Sequence, residues 1–127
     1  MELLIDTHAF VWFINANKKL SDKAKETIES ADFSPVISIA SFWEITIKLS
    51  LGKIDIKSSL MDFIEKTNKK GFRILPVQPN HLFYLPNLPF HHRDPFDRML
   101  IAQAISENMT IVTKDPDFKK YDVPVLW

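Results

Sequence analysis

LPFHHRDPFDRMLIAQAISENMTIVTKD, residues 88–115, is the stretch from which the rest of the chain is read. Asp94 before Pro95 opens a helix: a carboxylate at the N-cap, then a proline whose missing N–H costs nothing at the first helical position. Phe96, Met99, Leu100, Gln103 and Ala104 follow at helical spacing. Met109 to Thr113 is then a short apolar run that predicts a buried strand, and Asp115 stands just past it. Helix, buried strand, acid: this is one repeat of a parallel α/β sheet.

Working outward, the same alternation covers the chain. Glu2 to Ile5 predicts a first strand ending at Asp6, and an apolar helical stretch follows it. Ser21 is an N-cap for a polar helix from Asp22 to about Ser30. Val36 to Ser38 is a second strand, and Ala40 to about Leu51 a helix that Gly52 stops. Ser58 or Ser59 caps a helix carrying Leu60, Phe63 and Ile64, with Gly71 ending it. Arg73 to Val77 is the third strand, a short helix follows Pro79, and Val123 to Trp127 is the fifth strand. Such short, wholly apolar strands have no wet face, so helices must cover the sheet on both sides.

Composition narrows the chemistry. The 127 residues suit one domain, 1–127, and contain no cysteine, which excludes a disulfide scaffold, a thiol nucleophile and a thiolate zinc site. Sixteen basic residues balance sixteen acidic ones, so a nucleic acid has to be gripped locally. No apolar run reaches the length of a membrane span, and the early Asp6 leaves no room for a signal peptide, so a cytoplasmic protein is expected.

In a parallel sheet, ligands bind beyond the carboxyl ends of the strands, where strand order reverses. Asp6 follows the first strand and Asp115 the fourth, Glu44 lies one turn into the helix after the second strand, and Asp97 one turn into the helix before the fourth. Gathered at one edge, these carboxylates repel one another unless a hard divalent cation neutralises them. Mg²⁺ or Mn²⁺ suits such donors and supports attack of water on a phosphodiester. Each acid also has a local reading: Glu44 and Lys48 as a surface i,i+4 pair, Asp94 as a cap, Asp97 as a first-turn dipole partner, Asp115 as a turn former. Asp6, after a buried strand, has no evident local duty.

The segments LLIDTHAFVWF, SIASFWEITIKLSLGKI, LPFHHRDPFDRMLIAQA and TIVTKDPDFKKYDVPVLW, in that order, resemble PIN-domain proteins and, more narrowly, VapC-type toxins of prokaryotic toxin–antitoxin pairs. The resemblance implies a three-layer α/β/α fold with a five-stranded parallel sheet of order 3-2-1-4-5. It places the family's N-terminal acid on Asp6, its helical Glu on Glu44, its third acid (before IAQA) on Asp97 and its fourth on Asp115. Asp94 belongs to the narrower DPFDR signature and is a secondary candidate. The implied activity is Mg²⁺- or Mn²⁺-dependent endoribonuclease cleavage leaving a 3′-hydroxyl and a 5′-phosphate. Asp6 and Asp97 then anchor the metal, and Glu44 and Asp115 ligate directly or through water. A cognate antitoxin, an RNA substrate and a homodimer are the implied partners.

Thr7, Ser38 and Thr113 lie at strand ends, where their hydroxyls can orient water or phosphate, although Ser38 reads more readily as a helix cap. His91, His92 and Arg93 read either as a grip on RNA phosphate or as a solvated loop, and His8 as structural. Phe10, Trp12, Phe13, Phe42 and Trp43 are expected in the core, the lysine pairs Lys18-Lys19, Lys69-Lys70 and Lys119-Lys120 at the surface. Two other functions fit the pattern less fully: a housekeeping PIN nuclease without an antitoxin, and a non-catalytic RNA-binding module. A haloacid-dehalogenase-like phosphatase is excluded, since His8 stands where its second Asp belongs.

Overall fold

The computed structural model describes residues 1–127. Five strands, β1 (Glu2–Ile5), β2 (Ser34–Ser38), β3 (Arg73–Leu75), β4 (Thr110–Val112) and β5 (Val125–Leu126), form one sheet of order β3-β2-β1-β4-β5. Every pairing is parallel. The order reverses at β1, so the crevice of the fold opens between β1 and β4, beyond Ile5 and Val112.

Six α-helices connect the strands: α1 (Thr7–Ile14), α2 (Asp22–Glu29), α3 (Ile39–Ser50), α4 (Leu60–Lys69), α5 (Pro79–Leu82) and α6 (Pro95–Glu107). Successive strand residues point to opposite faces, and the core divides accordingly. Leu3, Ile5, Ile37 and Val112 pack under Phe10, Ile28, Phe42, Ile45 and Phe63 from α1 to α4. Leu4, Val36 and Ile111 pack on the other face against Leu100, Ile101 and Ala104 of α6, with Leu88, Phe118 and Tyr121 sealing the edge. No helix is long and apolar enough to cross a membrane.

The expected elements are all present, with shifted ends. β2 starts at Ser34 rather than Val36, because Pro35 pairs only with Leu3 while β3 joins at Val36; the missing proline N–H interrupts no ladder on that side. β3 stops at Leu75 instead of Val77, since Pro76 cannot continue the bonding. Ser21 and Ser59 cap α2 and α4 through their hydroxyls, as expected. Gly52 and Gly71 follow their helices with φ of +69° and +87°, where a side chain would be strained. Trp43 departs from the expected core: it is 64% exposed, edge-on against Phe96. It sits at the helix position next to the buried Glu44, and the rotation between neighbouring helical residues turns it outward. Phe10 and Phe42 are buried as expected, and Trp12 and Phe13 are half-buried. All six residues of the lysine pairs are exposed.

Candidate active site

Asp6 is the first residue after β1, and it is buried to 7% exposure. It does have a local duty, contrary to the sequence expectation: as N-cap of α1 its Oδ1 accepts the Ala9 N–H at 2.8 Å. The sequence left no gap between strand and helix, so the acid that ends one must begin the other. Its second oxygen, Oδ2, accepts the hydroxyl of Thr113, the residue after β4. Burial pushes the Asp6 carboxyl up, and the nearby Asp115 adds to the rise; the Thr113 hydroxyl, the Ala9 N–H and His8 oppose it.

Thr113 joins the two strands' acids. While donating to Asp6 it accepts the Asp115 N–H at 3.1 Å. Asp115 in turn caps the 3₁₀ turn Pro116–Lys120, its Oδ1 taking the Asp117 N–H at 2.9 Å. Its Oδ2 lies 2.8 Å from His92 Nε2. Asp6, His8, Lys114 and Asp115 line an open depression of about 470 Å³. His8 is exposed at its rim and tilted against Trp12, with no packing role in the core.

Asp97 approaches from α6. It sits in the first turn, with the Asp94 Oδ1 cap accepting both the Phe96 and Asp97 N–H groups. Burial, then the charges of Asp94, Glu44 and Asp6, raise the Asp97 carboxyl to about 7, with His92 pulling the other way. Such a rise is the cost of crowding acids where water is partly excluded. Glu44, from α3, is buried at 8% exposure and pairs with Lys48 Nζ at 2.9 Å. The i,i+4 pair is therefore real, but it is no surface pair: its acid end faces the rim.

The structure thus gathers Asp6, Glu44, Asp94 and Asp97 within electrostatic reach, with Asp115 beside Asp6. No three acidic or imidazole side chains stand close enough together to close on one metal ion as they lie. The donor chemistry nevertheless suits a hard cation: all the acids offer oxygen, and their mutual repulsion already lifts Asp97. Ser38 caps α3 through the Ala40 N–H at 3.1 Å, and the Thr7 hydroxyl donates to Ser41 at 2.9 Å. Of the three hydroxyl candidates, only Thr113 bonds a rim carboxylate.

Two residues carry more than their sequence suggested. His92 is buried at 8% exposure between Asp115 and Tyr121, neither a free phosphate grip nor part of a solvated loop; His91 and Arg93 beside it are exposed. Arg98 was not singled out at all. Its buried guanidinium donates to the carbonyls of Leu85, Leu88, Pro89 and His92, over the Phe90 ring. The signal was an arginine at the helix start among apolar neighbours, where a solvated charge is out of place.

Comparison with known proteins converges on one family. The PIN domain family model matches residues 3–124. Ribonuclease VapC22 of Mycobacterium tuberculosis is 26% identical over 123 residues, covering 96% of this chain and 93% of that protein. Among solved structures, VapBC2 from Rickettsia felis, bound to a DNA fragment from its promoter, superposes with a TM-score of 0.75 at 19% identity, covering 99% of this chain and 98% of the other. VapBC-1 from nontypeable Haemophilus influenzae gives 0.70 at 14% identity, covering 99% and 97%.

Proposed function

Because this chain belongs to the PIN-domain family, we propose that it is the ribonuclease toxin of a toxin–antitoxin pair, hydrolysing RNA phosphodiester bonds at the acidic rim with Mg²⁺ or Mn²⁺. The observation that carries the reading is the rim itself. Acids after β1, on α3, on α6 and in the turn after β4 lie on the switch-point edge of a parallel sheet, and burial together with the charges of Asp94, Glu44 and Asp6 lifts the Asp97 carboxyl to about 7. The names of the similar proteins, a ribonuclease and two VapBC pairs, support both the reaction and the antitoxin partner. On this reading the protein works in the cytoplasm and residues 1–127 act as one domain, a boundary supported by the family match over residues 3–124.

The chain's own groups divide the labour as follows. Asp6 and Asp97 would hold the cation, with Glu44 and Asp115 completing the oxygen set directly or through water. When bound, such a cation lowers the pKa of water and stabilises charge on the attacking and leaving oxygens of the phosphodiester. Thr113 keeps the Asp6 carboxylate turned toward the crevice. Lys48 restrains Glu44 and is the side chain that has to swing aside for Glu44 to ligate. Asp94 holds the first turn of α6, and with it Asp97, in place.

The test is cleavage of an end-labelled RNA by the purified chain. Mg²⁺ or Mn²⁺ supports cutting, EDTA abolishes it, and Asp6→Asn and Asp97→Asn fall to background while remaining folded. Undiminished cleavage in EDTA overturns the metal reading. A partner expressed from the adjacent reading frame should suppress cleavage in the same assay.

A further inference from the structure

The hydrogen bonds around His92 leave little freedom in its role. The Tyr121 hydroxyl lies 2.8 Å from the His92 backbone N–H, which it must accept, and 3.1 Å from the ring Nδ1. A phenol has one hydrogen, and Nδ1 is the neighbour to take it. The ring then carries its proton on Nε2, which stands 2.8 Å from Asp115 Oδ2. Three further contacts hold the imidazole in place. It stacks on Tyr121 at 5.5 Å, meets Phe118 edge-on at 4.6 Å, and its backbone carbonyl accepts from Arg98. Asp115 is the rim acid that needs such help, because its side chain is 38% exposed and hangs from a 3₁₀ turn rather than a helix or strand.

We infer that His92 is a positioning residue for Asp115: with Nε2–H it fixes one carboxylate oxygen, while the Asp117 N–H fixes the other. Each oxygen keeps a lone pair for the depression between Asp6 and Asp115. The arrangement is the carboxylate–histidine pairing of metal sites turned around, with the acid toward the ion and the histidine behind it. Tyr121 sets the tautomer, and Thr113 links the assembly to Asp6 through the Asp115 N–H. This inference rests on the rim being the nuclease site, and its tests separate the two.

The first readout needs no activity. In ¹⁵N-edited spectra of the metal-free protein, the His92 ring (identified by its loss in His92→Gln) shows a protonated Nε2 and an unprotonated Nδ1; the opposite tautomer overturns the inference. The second is Mn²⁺ binding by calorimetry. His92→Phe keeps the ring packing but has no donor and binds roughly 10-fold more weakly. His92→Gln, whose amide N–H reaches the same oxygen, recovers most of the loss. Should His92→Phe not fold, Tyr121→Phe, which frees the tautomer and keeps the imidazole, shows a smaller loss in the same direction. A purely structural histidine lowers the melting temperature of both His92 variants and leaves their Mn²⁺ affinity at the wild-type value, which overturns the positioning role. Wild-type protein that neither binds Mn²⁺ nor cuts RNA overturns the nuclease reading and the positioning role together, and the tautomer then decides the His92–Asp115 pairing alone.

Discussion

Asp97, a proposed metal ligand, is partly buried among other acids, so folding works against its charge. Its carboxyl, raised by burial and neighbouring acids from the ordinary carboxylate range to about 7, binds a proton more readily folded than unfolded. The stability this gives is fully present below about pH 4 and is lost as pH rises through about 7. The groups facing it are Asp94 on its own helix, His92, Glu44 of α3 and Asp6 after β1. Asp97→Asn keeps the shape and removes the charge. In EDTA, the variant is expected to be no more stable than wild type at pH 4, where the folded Asp97 is protonated and carries no charge for the amide to remove. By pH 8 it should be the more stable of the two. Thermal melts from pH 4 to pH 8 check this, and a constant difference across the range would mean that Asp97 is not the crowded acid. Asp6 is also raised, and Asp6→Asn keeps its cap, since an amide oxygen accepts the Ala9 N–H as a carboxylate oxygen does.

At the scale of elements, the residue 85–93 loop and α6 work as one piece. Asp94 caps the helix, Pro95 starts it, and Arg98 reaches back to four carbonyls of the loop, among them that of His92. The DPFDR signature thus holds a cap, a rim acid and the anchor of the 85–93 loop within five residues. Arg98→Met removes donors that no other side chain supplies. It should cost about 2–4 kcal/mol in urea unfolding. Limited proteolysis should find the loop cut faster than in wild type even under conditions where the chain stays folded. An unchanged cutting rate would show that Phe90 and Leu88 hold the loop without the arginine. The left-handed Asn108 that ends α6, at φ +55°, turns the chain into β4 and so aims Thr113 at Asp6.

For the whole molecule, Phe10 is the pin. It meets Phe42, Phe63 and Phe72 edge-on at 5.3 to 5.7 Å, tying α1, α3, α4 and the approach to β3 above one face of the sheet. Phe10→Ala should destabilise the fold by about 3–5 kcal/mol, read from urea melts with unchanged slope. A loss under about 1 kcal/mol would mean that the helical layer does not depend on this cluster. The strand and helix order, the caps at Ser21, Ser59 and Asp94, the place of Asp6 and Asp115 past their strands and that of Glu44 and Asp97 on their helices were legible in the chain, because each follows from short-range rules of spacing, capping and burial. The ends of β2 and β3 were less so, since a strand's length depends on how far its neighbour runs. Tertiary structure alone decided that Asp6 would clasp Thr113, that His92 would be buried on Asp115, and that Arg98 would be spent on loop carbonyls. Those pairs are up to 107 residues apart, and no local rule reports which polar group will meet which once water is excluded.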